Sequence, residues 1–529
     1  MSNEIGDRNG AAKVNNSSSS EPSTDRHFKD LAKITKGGGY TFIGSALGRV
    51  ILFLFTVYLA RVFGAADIGL YFLTTTIMTI LASLANFGLG IGVNRYIAIF
   101  SARGDRQRMK GVVLNSVAFS VAFSTMIVVL IFIFGDFVVG KIFHKPEVAY
   151  LLKLLAFTLP FESMMRVFLA STNGLKLMQY TAITENITWV GLRFAFTGLF
   201  IMMFGATLKL AVIAYVLSSV VSAGVAFCSS KKYIPLLDSG IKSTCDRKEL
   251  FKFSVPMVFS IFLGNMSRQM DVLMIGVYLS SASVGIYAMA MRIVIIAEFI
   301  FQIFNPIFYP FVSELNDKKD FGRLSNLLKT VTRWNVNISF PIFMTLILFP
   351  KFFLSLFGQE FVSAYPCLMI LVVARILSSL SILPSTMIFM TGRSDITARN
   401  NLFLLVLAIG LNYLLIPRFG VIGAALSASL CLFVISATRI IEVYHLMRIH
   451  PFSFALWKPL LAGLGSVTFI LLLRGGLAII RMDFIPALIV VFFLLYALGL
   501  YLFKLDKEDI YIKNLVLNKT GFLAKRFKR

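Results

Sequence analysis

Apolar blocks of about 20 residues, separated by short charged stretches, recur along almost the whole chain, and that length is what crosses the roughly 30 Å hydrocarbon core of a bilayer. Of the 529 residues 57% are hydrophobic and only 15% charged, outside the range of an ordinary soluble domain. A soluble enzyme, a disordered scaffold and a single-anchor protein are therefore excluded. Windows of about 19 residues place crossings near 40–60, 68–92, 111–135, 149–170, 180–203, 209–230, 253–277, 284–311, 331–350, 362–390, 397–417, 419–441, 454–473 and 484–503. An all-α integral membrane protein of about fourteen helices is the expectation. Its ends are a polar, unstructured tail over 1–36 and a basic tail over 504–529.

The formal charge of +25 would suggest nucleic acid in a soluble protein. Here the cations flank the apolar blocks, so topology and anionic membrane lipid account for them, and no nucleic-acid partner is expected. With the amino terminus inside, 33 of the 51 Lys and Arg fall on the cytoplasmic side and 7 outside, the rest lying in spans (Arg399 counted with its loop). Both termini are thus expected inside a cell membrane. No apolar signal stretch opens the chain. The longest outside segment runs only from Gly135 to Val148, too short for a separate catalytic domain, and no phosphate-binding Gly-rich loop ending in Lys-Ser/Thr occurs. Cys228, Cys245, Cys367 and Cys431 are dispersed, as are the four histidines, so no disulfide framework, metal site or bound cofactor is expected.

The chain carries an internal repeat. Ala66-Asp67-Ile68-Gly69-Leu70-Tyr71 recurs as Ala282-Ser283-Val284-Gly285-Ile286-Tyr287, 216 positions on, and Phe204-Gly205 recurs as Phe419-Gly420 at 215. An even number of helices per copy makes the repeat parallel, with any substrate path between the halves. The expected organisation is an N-lobe over 37–230, a basic cytoplasmic linker over 231–252, a C-lobe over 253–447 and two extra helices within 448–503.

Ionised groups in the spans are the candidate site, because each costs roughly 2.5 to 3.5 kcal/mol at the bilayer centre unless it faces a partner or water. Arg49 shares a stripe with Ser45 and Thr56. Glu162 and Arg166 are four apart and suited to pair. Asn186 and Arg193 share a face beside Glu185. Asn265, Arg268, Gln269 and Asp271 form a polar face on the seventh crossing, where Arg268 and Asp271 could pair; Arg292, Glu298, Gln302 and Asn305 follow on the eighth. Arg375 lies mid-span with no carboxylate within a turn, whereas Arg333 and Arg439 are near enough to span ends to snorkel. The cation excess favours an anionic passenger, since arginine stays charged when desolvated and grips phosphate bidentately. The expected cavity set is Arg49, Asn265, Arg268, Gln269, Arg292 and Arg375, with Asp271, Glu298 and Glu162 as candidates for H⁺ or Na⁺ coupling.

Two further stretches carry a family resemblance. Lys36-Gly37-Gly38-Gly39, Phe42-Ile43-Gly44, Tyr58-Leu59-Ala60-Arg61, Gly64 and Gly69-Leu70-Tyr71 are similar to polysaccharide-export flippases of the Wzx type. So are Leu411-Asn412-Tyr413-Leu414-Leu415-Ile416-Pro417, Gly420 and Gly423-Ala424-Ala425. The chain thereby resembles the multidrug/oligosaccharidyl-lipid/polysaccharide superfamily over residues 33 to about 503. The resemblance implies a MATE-like fold and export of a polyprenyl (pyro)phosphate-linked oligosaccharide to the outer leaflet. A cationic cavity would carry it, serving glycosyltransferases and a polymerase of the same pathway, and the architecture permits a monomer. The same superfamily leaves two rivals, a cation or drug antiporter and a lipid II flippase. A membrane glycosyltransferase is disfavoured by the short outer loops.

Overall fold

The computed structural model describes residues 23–302, 305–390, 393–476 and 484–503, all helices and connecting turns without a strand. The first 22 residues and the tail over 504–529 lie outside that set, as do the side chains of Gln302 and Asn305. The first helix opens at Ser23, inside the stretch read as unstructured.

Among the described residues nine helices are each long and apolar enough to cross a membrane, or ten with the Pro146–Ala156 and Thr158–Gly174 pair, which meet at 44°. Two of the nine are double. Ser23–Ala85 turns at Gly64 (φ 74°) and Ser394–Met447 at Gly420 (φ 59°). A straight 54-residue helix would extend about 80 Å, far beyond the hydrocarbon core, so the turn at Gly420 is what returns the chain across it. Fourteen is reached only by dividing these two and adding two segments that fail the apolar test. Those are Ser281–Ala297 with its continuation to Asp317, and Phe321–Leu348, which carries Arg333 and Asn335 in its buried face. The Arg106–Phe143 helix also absorbs most of the expected outer loop.

The repeat has a direct structural counterpart. Gly205 (φ 85°) and Gly420 both turn between consecutive crossings in the left-handed region, where a side chain would be strained. More tellingly, the two Gly-containing motifs pack on each other. A Cβ on Gly69 would lie 1.8 Å from the Ser281 carbonyl oxygen, and one on Gly285 would lie 2.2 Å from that of Ala65. Ser281 and Gly285 are the repeat-mates of Ala65 and Gly69. The contact is therefore isologous, the signature of a two-fold relation between the halves. Bare backbone on both sides lets the segments approach this closely.

That contact closes one end of the bundle, the end remote from Ser23. Two cations reinforce it from the first half to the second. Lys145 donates to the carbonyls of Gly276 (2.5 Å) and Leu279 (2.9 Å), which the end of the Arg247–Tyr278 helix leaves without helical partners. Arg61 donates through Nε to the Leu356 carbonyl at 2.8 Å. At the opposite, near end, the segment between the halves is held rather than loose. Lys110 donates to the carbonyls of Asp238 (2.5 Å) and Ile241 (3.0 Å), and Arg247 to Asn115 at 2.8 Å. Helix resumes at Arg247, inside the expected linker.

Candidate substrate cavity

A cavity of about 580 Å³ lies between the halves. Its first wall comes from the Ser23–Ala85 helix on both sides of Gly64, together with Arg193 and Tyr215. The second comes from Arg247–Tyr278, Ser281–Ala297 with Glu298, Arg375 and both arms of Ser394–Met447. The cavity reaches from mid-bundle toward the near end at Asn401 and Arg439, and its lining stops short of the sealed far end.

Five arginines line it (Arg193, Arg268, Arg292, Arg375 and Arg439) against two carboxyl groups, Asp271 and Glu298. Both carboxyls are engaged. Glu298 forms an ion pair with Arg375 across the helix interface. Asp271 accepts from the Tyr287 hydroxyl and, at 2.9 Å, from the Val272 amide. Among the described residues no carboxylate stands at ion-pair distance from Arg193, Arg268, Arg292 or Arg439. Arg268 instead donates to the Asn265 side chain at 2.5 Å. Arg292 stacks over Phe72 at 4.7 Å, and Arg193 over Tyr215 at 4.2 Å and Trp189 at 5.3 Å. Guanidinium groups buried against rings keep their charge while shedding much of their water.

The placement of the expected residues is mixed. Arg268, Gln269, Arg292, Arg375, Asp271 and Glu298 all line the cavity, whereas Arg49 and Asn265 are not among its lining residues. Arg49 stacks on Phe299 at 4.8 Å, and its expected stripe-mate Ser45 is taken by Asn186 at 3.1 Å. Asp271 turns to Tyr287 and not to Arg268, a helix turn away. Arg375, expected to stand without a carboxylate, has Glu298. Glu162 pairs with Arg166 at 2.7 Å on its own helix, away from the cavity lining. Arg439 is a wall residue and not an interfacial anchor, and Arg333 is buried in the protein. Arg193 was legible as part of a polar face, but its aromatic frame brings in Tyr215 from the next helix.

The first crossing meets the fifth at a π-helical segment, Ala182–Thr188. A Cβ on Gly48 would sit 2.3 Å from the Asn186 carbonyl oxygen, so the two helices meet backbone to backbone. Such π segments recur where a helix must re-aim side chains, and this one precedes Trp189 and Arg193.

The Glu298–Arg375 pair is testable by stability. Glu298→Gln strands the Arg375 charge, and the purified protein is expected to lose roughly 1–3 kcal/mol. The double variant Glu298→Gln/Arg375→Gln should recover most of that in thermal unfolding, because the pair rather than either charge is what the helices need.

Two repeated halves around a polar midplane cavity, with bare-backbone contacts at one end, define a multi-pass membrane protein with a transporter fold. Sequence comparison makes this specific. A profile described as "Polysaccharide biosynthesis protein" matches residues 34–316, more than half the chain, and a MatE profile matches 256–414. The chain belongs to the polysaccharide biosynthesis protein family. Among its relatives, a probable low-salt glycan biosynthesis flippase, Agl15, of Haloferax volcanii is 25% identical over 397 residues, covering 74% of this chain and 79% of that one. A putative O-antigen transporter of Shigella flexneri is 24% identical over 404 residues, covering 75% and 94%. Among solved structures, the lipid II flippase MurJ in an inward closed conformation superposes with a TM-score of 0.70 at 14% identity, covering 90% of this chain and 99% of that one. An inward-facing MATE family transporter gives 0.65 at 16%, covering 77% and 98%. These likenesses give the fold.

Proposed function

We propose that this protein flips a polyprenyl (pyro)phosphate-linked oligosaccharide from the cytoplasmic to the outer leaflet of the cell membrane, for assembly of a surface glycan. The observation that carries the reading is the 580 Å³ cavity between the halves with four arginines lacking a carboxylate partner among the described residues. A sugar chain cannot cross hydrocarbon unaided, since each unpaired hydroxyl costs roughly 2–7 kcal/mol there. A wet cationic cleft removes that cost for the head group while the polyprenyl chain stays in lipid.

Both termini are cytoplasmic in this reading, so the near end faces the cytoplasm and the Gly69–Gly285 contact is the outer seal. Transport alternates that seal with a near-end closure as the halves rock. Outward movement of an anionic head group across an inside-negative membrane is downhill by about 2.3 kcal/mol per charge per 100 mV. Asp271, Glu298 and Glu162 remain the candidates for H⁺ or Na⁺ coupling, and each first has to release the partner it holds. Arg268, Gln269, Arg292 and Arg375 act on substrate; Arg49 and Asn265 act through neighbours. The protein works as a monomer, without bond-making chemistry, alongside glycosyltransferases and a polymerase of its pathway.

A cation or drug antiporter needs a free carboxyl facing the cleft, and both described carboxyls are occupied. A lipid II flippase shares the fold, but the two relatives described above are named for glycan and O-antigen. The test is a deletion strain. Lipid-linked oligosaccharide should accumulate on the inner leaflet while surface glycan disappears. Intact surface glycan with heightened sensitivity to cationic drugs would reverse the ranking.

A further inference from the structure

The four arginines without carboxylates are arranged as two pairs with unlike surroundings. Arg193 and Arg292 lie within electrostatic reach of each other, as do Arg268 and Arg439. Two facing cations in a low-dielectric cleft repel, and an anion bound between them converts that repulsion into attraction. Each pair is thus a built anion site, and the chain has two.

The first pair is framed by rings. Arg193 stacks on Tyr215, Trp189 and Phe55 (5.7 Å for the last), and Arg292 on Phe72. Beside them the same wall presents Thr75, Thr76 and Thr79. The second pair is framed by amides. Arg268 bonds to Asn265, and a Cβ on Gly264 would touch both Asn401 (3.0 Å) and Arg268 (3.7 Å), which places those side chains side by side. A phosphate is a hydrated tetrahedral anion with no apolar face, and gains nothing from rings. A uronic acid offers a planar carboxylate that guanidinium takes in bidentate fashion, on a pyranose whose C–H faces pack on aromatics.

We propose that the ring-framed Arg193–Arg292 site takes the carboxylate of an acidic sugar, while the amide-framed Arg268–Arg439 site takes the phosphate at the lipid end of the same molecule. This rests on the flippase reading and narrows its substrate to an anionic oligosaccharide. Depth agrees with the assignment. The amide-framed pair is nearer the mouth, where the lipid phosphate enters from the leaflet, and the ring-framed pair is at mid-bundle, where the glycan extends.

The test is binding to purified full-length protein by calorimetry, with inorganic pyrophosphate, methyl β-D-glucuronide and the neutral methyl β-D-glucoside as probes. The glucuronide should bind about tenfold more tightly than the glucoside, the worth of a charge-assisted bidentate contact. Arg193→Gln should abolish that preference and leave pyrophosphate affinity within about twofold, and Arg268→Gln should do the converse. Arg193→Lys, which keeps the charge and loses the fork, serves if the glutamine variant does not fold, and should lose most of the preference. The proposal is overturned if glucuronide and glucoside bind alike. Equal weakening of pyrophosphate by Arg193→Gln and Arg268→Gln also overturns it, since that marks two stations for one phosphate. Wild-type protein that binds no pyrophosphate at all sinks the flippase reading itself, a separate result.

Discussion

Arg268→Ala and Arg292→Ala, each as the only copy in the cell, are expected to abolish surface glycan export while leaving membrane abundance unchanged. Truncating one member of a buried charged contact costs about 2–5 kcal/mol, so transport should fall by roughly two orders of magnitude or more. Abundance is spared for an electrostatic reason. Neither arginine is paired to a described carboxylate, so its removal strands no buried anion and relieves a repulsion with Arg439 or Arg193. Arg375→Ala and Arg166→Ala are the contrast. Each leaves a glutamate without its counter-ion, Glu298 or Glu162, so these variants should lose protein as well as activity. Arg49→Ala, outside the cavity lining and stacked on Phe299, should cost less than about tenfold, the loss of a single cation–π contact. Quantitative immunoblotting of membranes beside a surface-glycan assay reads both axes.

The second large effect lies at the seal. Gly69→Val and Gly285→Val would each drive a side chain into a backbone carbonyl, at 1.8 Å and 2.2 Å for the first added carbon. Overpacking in a well-packed interior costs about 1–3 kcal/mol, and a backbone oxygen cannot rotate aside as a side chain can. Both variants should melt earlier and fail to export, because the halves can no longer close at the far end. Gly224→Ala, with nothing within 4 Å of the added carbon, should behave as wild type in the same melting experiment. Equal stability of Gly69→Val and wild type would show that the contact is dispensable.

The parts of this molecule written in local spacing could be read from the sequence. Glu162 and Arg166, four apart, meet because a single helix puts them there. The repeat was visible as two short motifs at one offset. What spacing could not say was that the two glycines would meet each other, which needs both halves in place. The same limit explains the rest. Glu298 and Arg375 come from different helices, and Asp271 chooses Tyr287, 16 positions on, over Arg268 on its own helix. Arg439 looked interfacial by distance from a span end, but helix rotation turned it into the cleft. Span counting failed for a related reason. A glycine with positive φ merges two crossings into one helical run, and a polar-lined crossing such as Phe321–Leu348 buries Arg333 and Asn335 where apolarity alone would not place them.

The central claim is that the arginine-lined cleft itself carries a phosphorylated glycolipid head across the membrane. It is tested most directly in proteoliposomes containing the purified protein and a polyprenyl diphosphate oligosaccharide, with translocation read by the fraction reached by a membrane-impermeant enzyme. Wild-type protein should accelerate translocation well above protein-free vesicles, and an inside-negative potential should accelerate it further in the outward direction. Arg268→Ala and Arg292→Ala should stay at the protein-free rate. Wild-type rates in both variants would contradict the account.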